Sequence, residues 1–147
     1  MWRRGWFEEH RGGGPHRLLA ADSPEEGRLG WASSSEFRPR SAHSTTVETS
    51  IHLRPGAPRR GLGSGLYLRL FELLVREDLE RTVAGVTPPN PSSEALHLRW
   101  DFTPVGTFAR VGRKLGHCWD VGWYEKALRP EAPYASCAGG EGGGGDR

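Results

Sequence analysis

The sequence predicts a mixed α/β domain, and three observations point there. A β-branched, alternating run at Thr45–Leu53 is followed from Gly63 by an apolar repeat of helical period. A second strand-like run, Val83–Thr87, precedes a helix-capping serine pair at Ser92 and Ser93. Strand and helix patterns keep alternating from Thr45 to Phe108, which argues for a mixed sheet flanked by helices rather than an all-β barrel.

Arg3–Arg11 reads as a short helix, with Trp6, Phe7 and His10 on one side. Gly12-Gly13-Gly14-Pro15 is a loop. His16–Ala21 and Arg28–Ser35 read as two strands joined by the turn chemistry of Ser23-Pro24-Glu25-Glu26-Gly27, hence a hairpin. Phe37-Arg38-Pro39-Arg40-Ser41 is a loop, because proline fixes φ and removes a donor. In the strand Thr45–Leu53, alternation puts Val47, Thr49 and Ile51 on one face and Thr46, Glu48, Ser50 and His52 on the other. Leu66, Leu70, Leu73 and Leu74 form the stripe of a helix ending near Asp78. After Pro88-Pro89-Asn90-Pro91, a helix capped by Ser92 or Ser93 runs to about Trp100. Phe102–Val111 and Trp119–Tyr124 close the chain as strands around Gly112–Gly116.

A chain of 147 residues suits one domain, read here as 1–128, with an ordered core from about Trp6 to Lys126 and a disordered tail at 129–147 that carries Gly142–Gly145. The balance of 20 basic and 18 acidic side chains gives +2, and the basic clusters are short, so no nucleic-acid stripe is expected. Cys118 and Cys137 have neither a metal-ligand nor a redox spacing, so no metal site is expected and a reducing compartment is the simpler reading. No apolar run approaches 18 residues, and the start lacks a signal-peptide core. The expectation is a cytoplasmic protein with no membrane partner.

The densest chemical signal is Arg59-Arg60-Gly61-Leu62-Gly63-Ser64-Gly65, set between a strand and an amphipathic helix. A helix start offers unpaired N–H groups and partial positive charge, and glycines let a backbone approach an anion. Two arginines add full charge and Ser64 a hydroxyl. Spacing alone leaves a plain turn equally open. A dinucleotide fold is disfavoured, since Val86-Thr87-Pro88 ends the next strand without an acid for a ribose. A P-loop is disfavoured because Leu66-Tyr67, not Lys-Ser or Lys-Thr, follows the last glycine.

With these residues on the page, the chain resembles the GNAT superfamily and, within it, the phosphinothricin N-acetyltransferase family. The resemblance is carried by Thr46-Val47-Glu48-Thr49-Ser50, the run from Arg59 to Tyr67, Pro89-Asn90, Ala95-Leu96-His97, Gly106-Thr107 with Val111-Gly112-Arg113-Lys114, and Trp119-Asp120-Val121. It implies a mostly antiparallel central sheet flanked by helices, lacking the family's usual first strand and helix. It implies acetyl transfer from acetyl-CoA to the amine of a small amino-acid-like substrate, in a homodimer built through the C-terminal strands. The backbone of Ser50, Ile51, His52 and Leu53 would bind the pantetheine amides. The turn from Arg59 and Arg60 through Gly61, Leu62, Gly63, Ser64 and Gly65 would hold the diphosphate, and Asn90 would contact the cofactor. Two departures stand out: Pro58 occupies the place where the superfamily pattern has Gln or Arg, and His43 the place of a common tyrosine.

Acetyl transfer needs a base for the ammonium and an acid for the leaving thiolate. Glu48, mid-strand among apolar neighbours, is the candidate base, since partial burial raises a carboxyl pKa. The residues alone leave a surface glutamate open, and the resemblance assigns the base. His97 matches the family's histidine and would relay a proton or order a water near Glu48, against the alternative of a satisfied helix histidine. Arg38, Arg40 and His43 are the substrate-binding candidates, a guanidinium suiting acidic groups. Tyr67 and Tyr124 are candidates for the thiolate acid, with Tyr67, on the helix, better read as packing or a dimer contact. The alternative function is a non-catalytic, truncated GNAT remnant that binds CoA or dimerises without turnover.

Overall fold

The computed structural model describes residues 13–57 and 61–130. The expected helix at Arg3–Arg11, the residues Pro58, Arg59 and Arg60, Cys137 and the tail beyond Pro130 lie outside the described residues.

The six strands are β1 (Leu18–Ser23), β2 (Gly27–Glu36), β3 (Thr46–Leu53), β4 (Arg81–Val86), β5 (Thr103–Lys114) and β6 (His117–Ala127). The helices are α1 (Leu62–Leu74) and α2 (Pro91–Arg99), and a 3-10 turn occupies Ser41–His43. The strands form one sheet in the order β1-β2-β3-β4-β6-β5. Every adjacent pair is antiparallel except β3 and β4, which α1 connects as a parallel pair. This is the expected mixed, mostly antiparallel sheet with helices.

The β1–β2 hairpin turns where expected: Ser23 Oγ accepts from the N–H groups of Glu25 and Glu26, both at 3.3 Å, and Gly27 supplies φ 75°. The buried face of β3 carries Val47 and Thr49, as the alternation predicts. Against that face packs α1, through Leu66, Tyr67, Leu70, Phe71 and Leu74. Burying each such large side chain contributes roughly 1.5–3 kcal/mol. Leu73, expected in the stripe, is only half-buried, and Tyr67 and Phe71 take the central places.

Several element boundaries differ from expectation. Helix α1 ends at Leu74 rather than near Asp78. There the chain tightens, with Arg76 N–H donating to the Leu73 carbonyl and Glu77 N–H to the Leu74 carbonyl, so that Leu79 can enter the core. Glu77 and Asp78 instead pair with Arg17 at 3.0 Å and Arg129 at 3.2 Å. Asn90, not Ser92 or Ser93, caps α2: its side-chain oxygen accepts from Ser93 N–H at 3.2 Å, and Pro91 takes the first helical position, where a missing N–H is harmless. Finally, β5 and β6 extend to Lys114 and His117, because Leu115 (φ 51°) and Gly116 (φ 76°) close a two-residue hairpin turn.

Among the described residues no helix is long and apolar enough to cross a membrane.

Candidate active site

The central pair of strands does not stay paired. β3 and β4 meet at Thr46–Arg81, Val47–Thr82 and Glu48–Val83, after which β3 continues against β2 to Leu53 and β4 against β6 to Val86. Beyond Glu48 the two strands form a fork. The carbonyl of Thr45 accepts from Glu80 and Arg81 on the β4 side, while Arg54 N–H donates to Leu29 on the β2 side. By alternation, Thr49, Ile51 and Leu53 direct their N–H and C=O groups into the fork. Ser50 and His52 spend their backbone groups on β2, opposite Ser33 and Trp31. Of the four residues expected to meet pantetheine through their backbone, the geometry favours Ile51 and Leu53. The His52 ring instead stacks on Trp31 at 4.1 Å, and burial lowers its pKa.

Helix α1 begins at the mouth of this fork. Its N-cap is Gly61 at φ 73°, a left-handed conformation that favours glycine, and no side chain caps it. Gly65 N–H closes the first helical bond on the Gly61 carbonyl at 2.8 Å. The N–H groups of Leu62, Gly63 and Ser64 therefore have no intrahelical acceptor and point out of the helix start. This donor cluster suits an anion, as the sequence suggests. The glycines, however, divide their roles. A Cβ on Gly63 would meet Leu96 Cδ2 at 3.2 Å and Ile51 Cδ1 at 3.6 Å, so that glycine seats α1 against α2 and β3. Gly65 is exposed with open space around it.

Glu48 lies at the closed end of the fork, on the face opposite the helices. It is half-buried, and that burial raises its pKa above the usual carboxylate value. It lines a cleft of about 730 Å³, together with Arg38, Arg81, Val83, Trp123 and Glu125 among others. Val83 stands beside Glu48 in register and Glu125 beside Val83. Arg81 pairs with Glu125 at 3.6 Å. Trp123 and Val121 close over Gly85, whose Cβ would meet them at 3.1–3.5 Å.

The three substrate-binding candidates separate. Arg38 lines the cleft, with its guanidinium 4.9 Å from the centre of the Phe37 ring. His43 packs T-shaped on Phe37 with ring centres 6.2 Å apart and is not a wall of the cleft; Arg40 is exposed and outside it. The wall residues Arg81 and Glu125 were missed from sequence, because the strand was expected to start only at Val83. The alternation Arg81, Val83, Gly85 would have put Arg81 on the face of Glu48.

His97 is 2 % exposed and is not among the cleft residues. Its Nδ1 meets the Ser93 carbonyl at 2.6 Å and its Nε2 the Tyr67 hydroxyl at 2.7 Å. Both ring nitrogens are thus engaged, and burial lowers its pKa despite the bond to Ser93. The geometry is that of a satisfied interior histidine, not of a relay beside Glu48. Tyr67 is fully buried, and desolvation pushes its pKa far up. Tyr124 borders the cleft, but its ring stacks on His97 at 5.9 Å, and burial and the Glu94 charge raise its pKa. Among the described residues no group of three or more His, Cys, Asp or Glu side chains is placed to hold a metal ion.

Residues 1–102 match the Acetyltransferase (GNAT) family. An N-acetyltransferase from Streptomyces griseus is 50% identical over 130 residues, covering 86% of this chain and 67% of the relative. A phosphinothricin N-acetyltransferase from Streptomyces coelicolor is 48% identical over 127 residues, covering 86% of this chain and 74% of that protein. A Salmonella typhimurium structure with its cofactor acetyl-CoA superposes with a TM-score of 0.78 at 28% identity, over 92% of this chain and 77% of that one. The forked central strands, the uncapped helix start beside them and these matches lead to one conclusion: the chain belongs to the GNAT family of acetyltransferases.

Proposed function

We propose that this chain moves an acetyl group from acetyl-CoA to the amine of a small amino-acid-like substrate, phosphinothricin or a related compound. The observation that carries the reading is the fork between β3 and β4, with Glu48 at its closed end and the donor cluster of α1 at its mouth.

The residues present fit the carrier. The uncapped N–H groups at Leu62, Gly63 and Ser64 suit a diphosphate, and the strand edge at Ile51 and Leu53 suits the amides of a pantetheine arm. Asn90 spends its side-chain oxygen on the α2 cap and keeps its amide nitrogen for a contact. Acetyl-CoA, when bound, supplies the activated thioester. Glu48 takes a proton from the substrate ammonium, a task that its raised pKa brings closer to neutral pH. N–H groups of the fork edge are donors for charge that develops on the acyl oxygen. Arg38 holds an acidic group of the substrate at the cleft wall. Tyr124, a phenol kept above its ordinary pKa, retains its proton at working pH and is the remaining candidate to protonate the thiolate. The homodimer belongs to the same reading: Val105, Phe108 and Val111 are exposed on β5, the edge strand of the sheet.

A thiol-release assay with acetyl-CoA and phosphinothricin tests the proposal. Turnover that falls by about 10²–10⁴-fold in Glu48→Gln supports it. Binding of acetyl-CoA without turnover on any of a panel of amino acids would replace it with a non-catalytic binding module.

A further inference from the structure

Four buried polar side chains that the transfer chemistry leaves unused lie in one buried line. Thr82 on β4 and Tyr67 on α1 are 0 % exposed, Thr49 on β3 is 1 % and His97 on α2 is 2 %. Thr82 Oγ1 donates to Thr49 Oγ1 at 3.1 Å, and the Thr49 side chain stands beside the Tyr67 hydroxyl. The Tyr67 hydroxyl lies 2.7 Å from His97 Nε2, and His97 Nδ1 lies 2.6 Å from the Ser93 carbonyl. A carbonyl can only accept, so Nδ1 carries the ring proton and Nε2 accepts. Tyr67 therefore donates to His97, and Thr49 takes the proton of Thr82.

The line sits where the backbone pairing stops. Val47–Thr82 is one of the three parallel pairs, and Thr49 is the first residue of β3 beyond the last of them. A hydroxyl bond thus ties the two strands at the closed end of the fork. From there the line crosses α1 and ends in the first turn of α2, at the residue whose N–H meets the Asn90 cap. It touches each of the four elements that border the fork. Because Thr82 bonds Thr49 and Tyr67 bonds His97, a shift of β3 against β4 or of α1 against α2 leaves a polar group stranded in the interior.

We infer that this line is the positioning device of the fork: it sets how far β3 stands from β4 and where the strand edge and the α1 donors face the carrier. Tyr67, His97, Thr49 and Thr82 are then positioning residues, and His97 acts through Tyr67 rather than on the substrate. The inference rests on the acetyl-transfer reading above.

The test uses the full chain with Thr82→Val, Thr82→Ser and Tyr67→Phe. Acetyl-CoA affinity is measured by calorimetry, without an acceptor amine, alongside melting temperature and the kcat and KM of each variant with phosphinothricin. Thr82→Val and Tyr67→Phe are expected to weaken acetyl-CoA by about fivefold or more, while the amine KM stays within about twofold. Thr82→Ser, which keeps the hydroxyl, restores affinity. Lower melting temperatures with unchanged acetyl-CoA affinity would overturn the inference, since the line would then serve folding alone. Should Tyr67→Phe fail to fold, the Thr82 pair decides, because it removes or keeps one hydroxyl at the end of the line. A wild-type chain that does not bind acetyl-CoA overturns the transfer reading and this inference together. Binding by the wild type with equal affinity in every variant overturns this inference alone.

Discussion

Glu48 and His97 are the two groups that the sequence offers for proton chemistry, and their surroundings give them different work. Glu48 is half-buried on the wall of a cleft, and burial holds its pKa above the ordinary carboxylate value of 4.5. Between that value and the raised one, the folded chain binds more protons than the unfolded chain, so the carboxyl costs stability as pH climbs through the window. Glu48→Gln removes that cost. The expected outcome is a melting temperature at neutral pH that is unchanged or higher, together with the loss of turnover. In the wild type, kcat/KM should rise with pH through a limb above 4.5 that a pH–rate profile records and Glu48→Gln lacks. For His97 the sign is opposite: its folded pKa lies below 6.5, so stability is present above 6.5 and is lost as pH falls through the folded value. Thermal melts from pH 7 down to pH 5 should show a declining limb that is shallower in His97→Phe. His52 titrates in the same direction, so the comparison is a difference between slopes. His97→Phe should also lose about 1–3 kcal/mol by stranding the Tyr67 hydroxyl.

At the scale of elements, both helix starts near the fork carry an instruction that is readable in the chain. Gly61 stands at φ 73°, and Gly61→Ala should cost about 1–2 kcal/mol in urea unfolding through backbone strain alone. Asn90 joins a structural and a proposed binding role in one side chain. Asn90→Ala should lose about 0.5–2 kcal/mol with the cap. Asn90→Asp keeps the accepting oxygen, and so keeps the melting temperature, while removing the amide donor. A raised acetyl-CoA KM in that variant supports the proposed contact, and an unchanged KM removes it. The strand boundaries were legible within a few residues, because alternation and turn chemistry are local signals. The end of α1 was not, since Leu79 enters the core where Glu77 and Asp78 pair with Arg17 and Arg129 from distant parts of the chain.

For the whole molecule, acetyl-CoA should raise the melting temperature by several degrees, since a ligand at about 100 times its Kd adds roughly 2.7 kcal/mol to the native state. Light scattering should report twice the chain mass of 16.2 kDa, and Val105→Glu with Phe108→Glu should return it to one chain, because both side chains are exposed on the edge strand. The order of strands and helices, a helix start within Arg59–Gly65 and the placement of Glu48 opposite Val47 and Thr49 were determined by the sequence itself. Those features depend on period, turn residues and capping, which act over a few neighbouring positions. Only the tertiary structure decided that His97 is held at both nitrogens, that Gly63 serves packing, and that Arg81 and Glu125 join Glu48 in one cleft while Arg40 stays outside. The Tyr67–His97 bond joins residues 30 positions apart, and no local pattern encodes such a meeting.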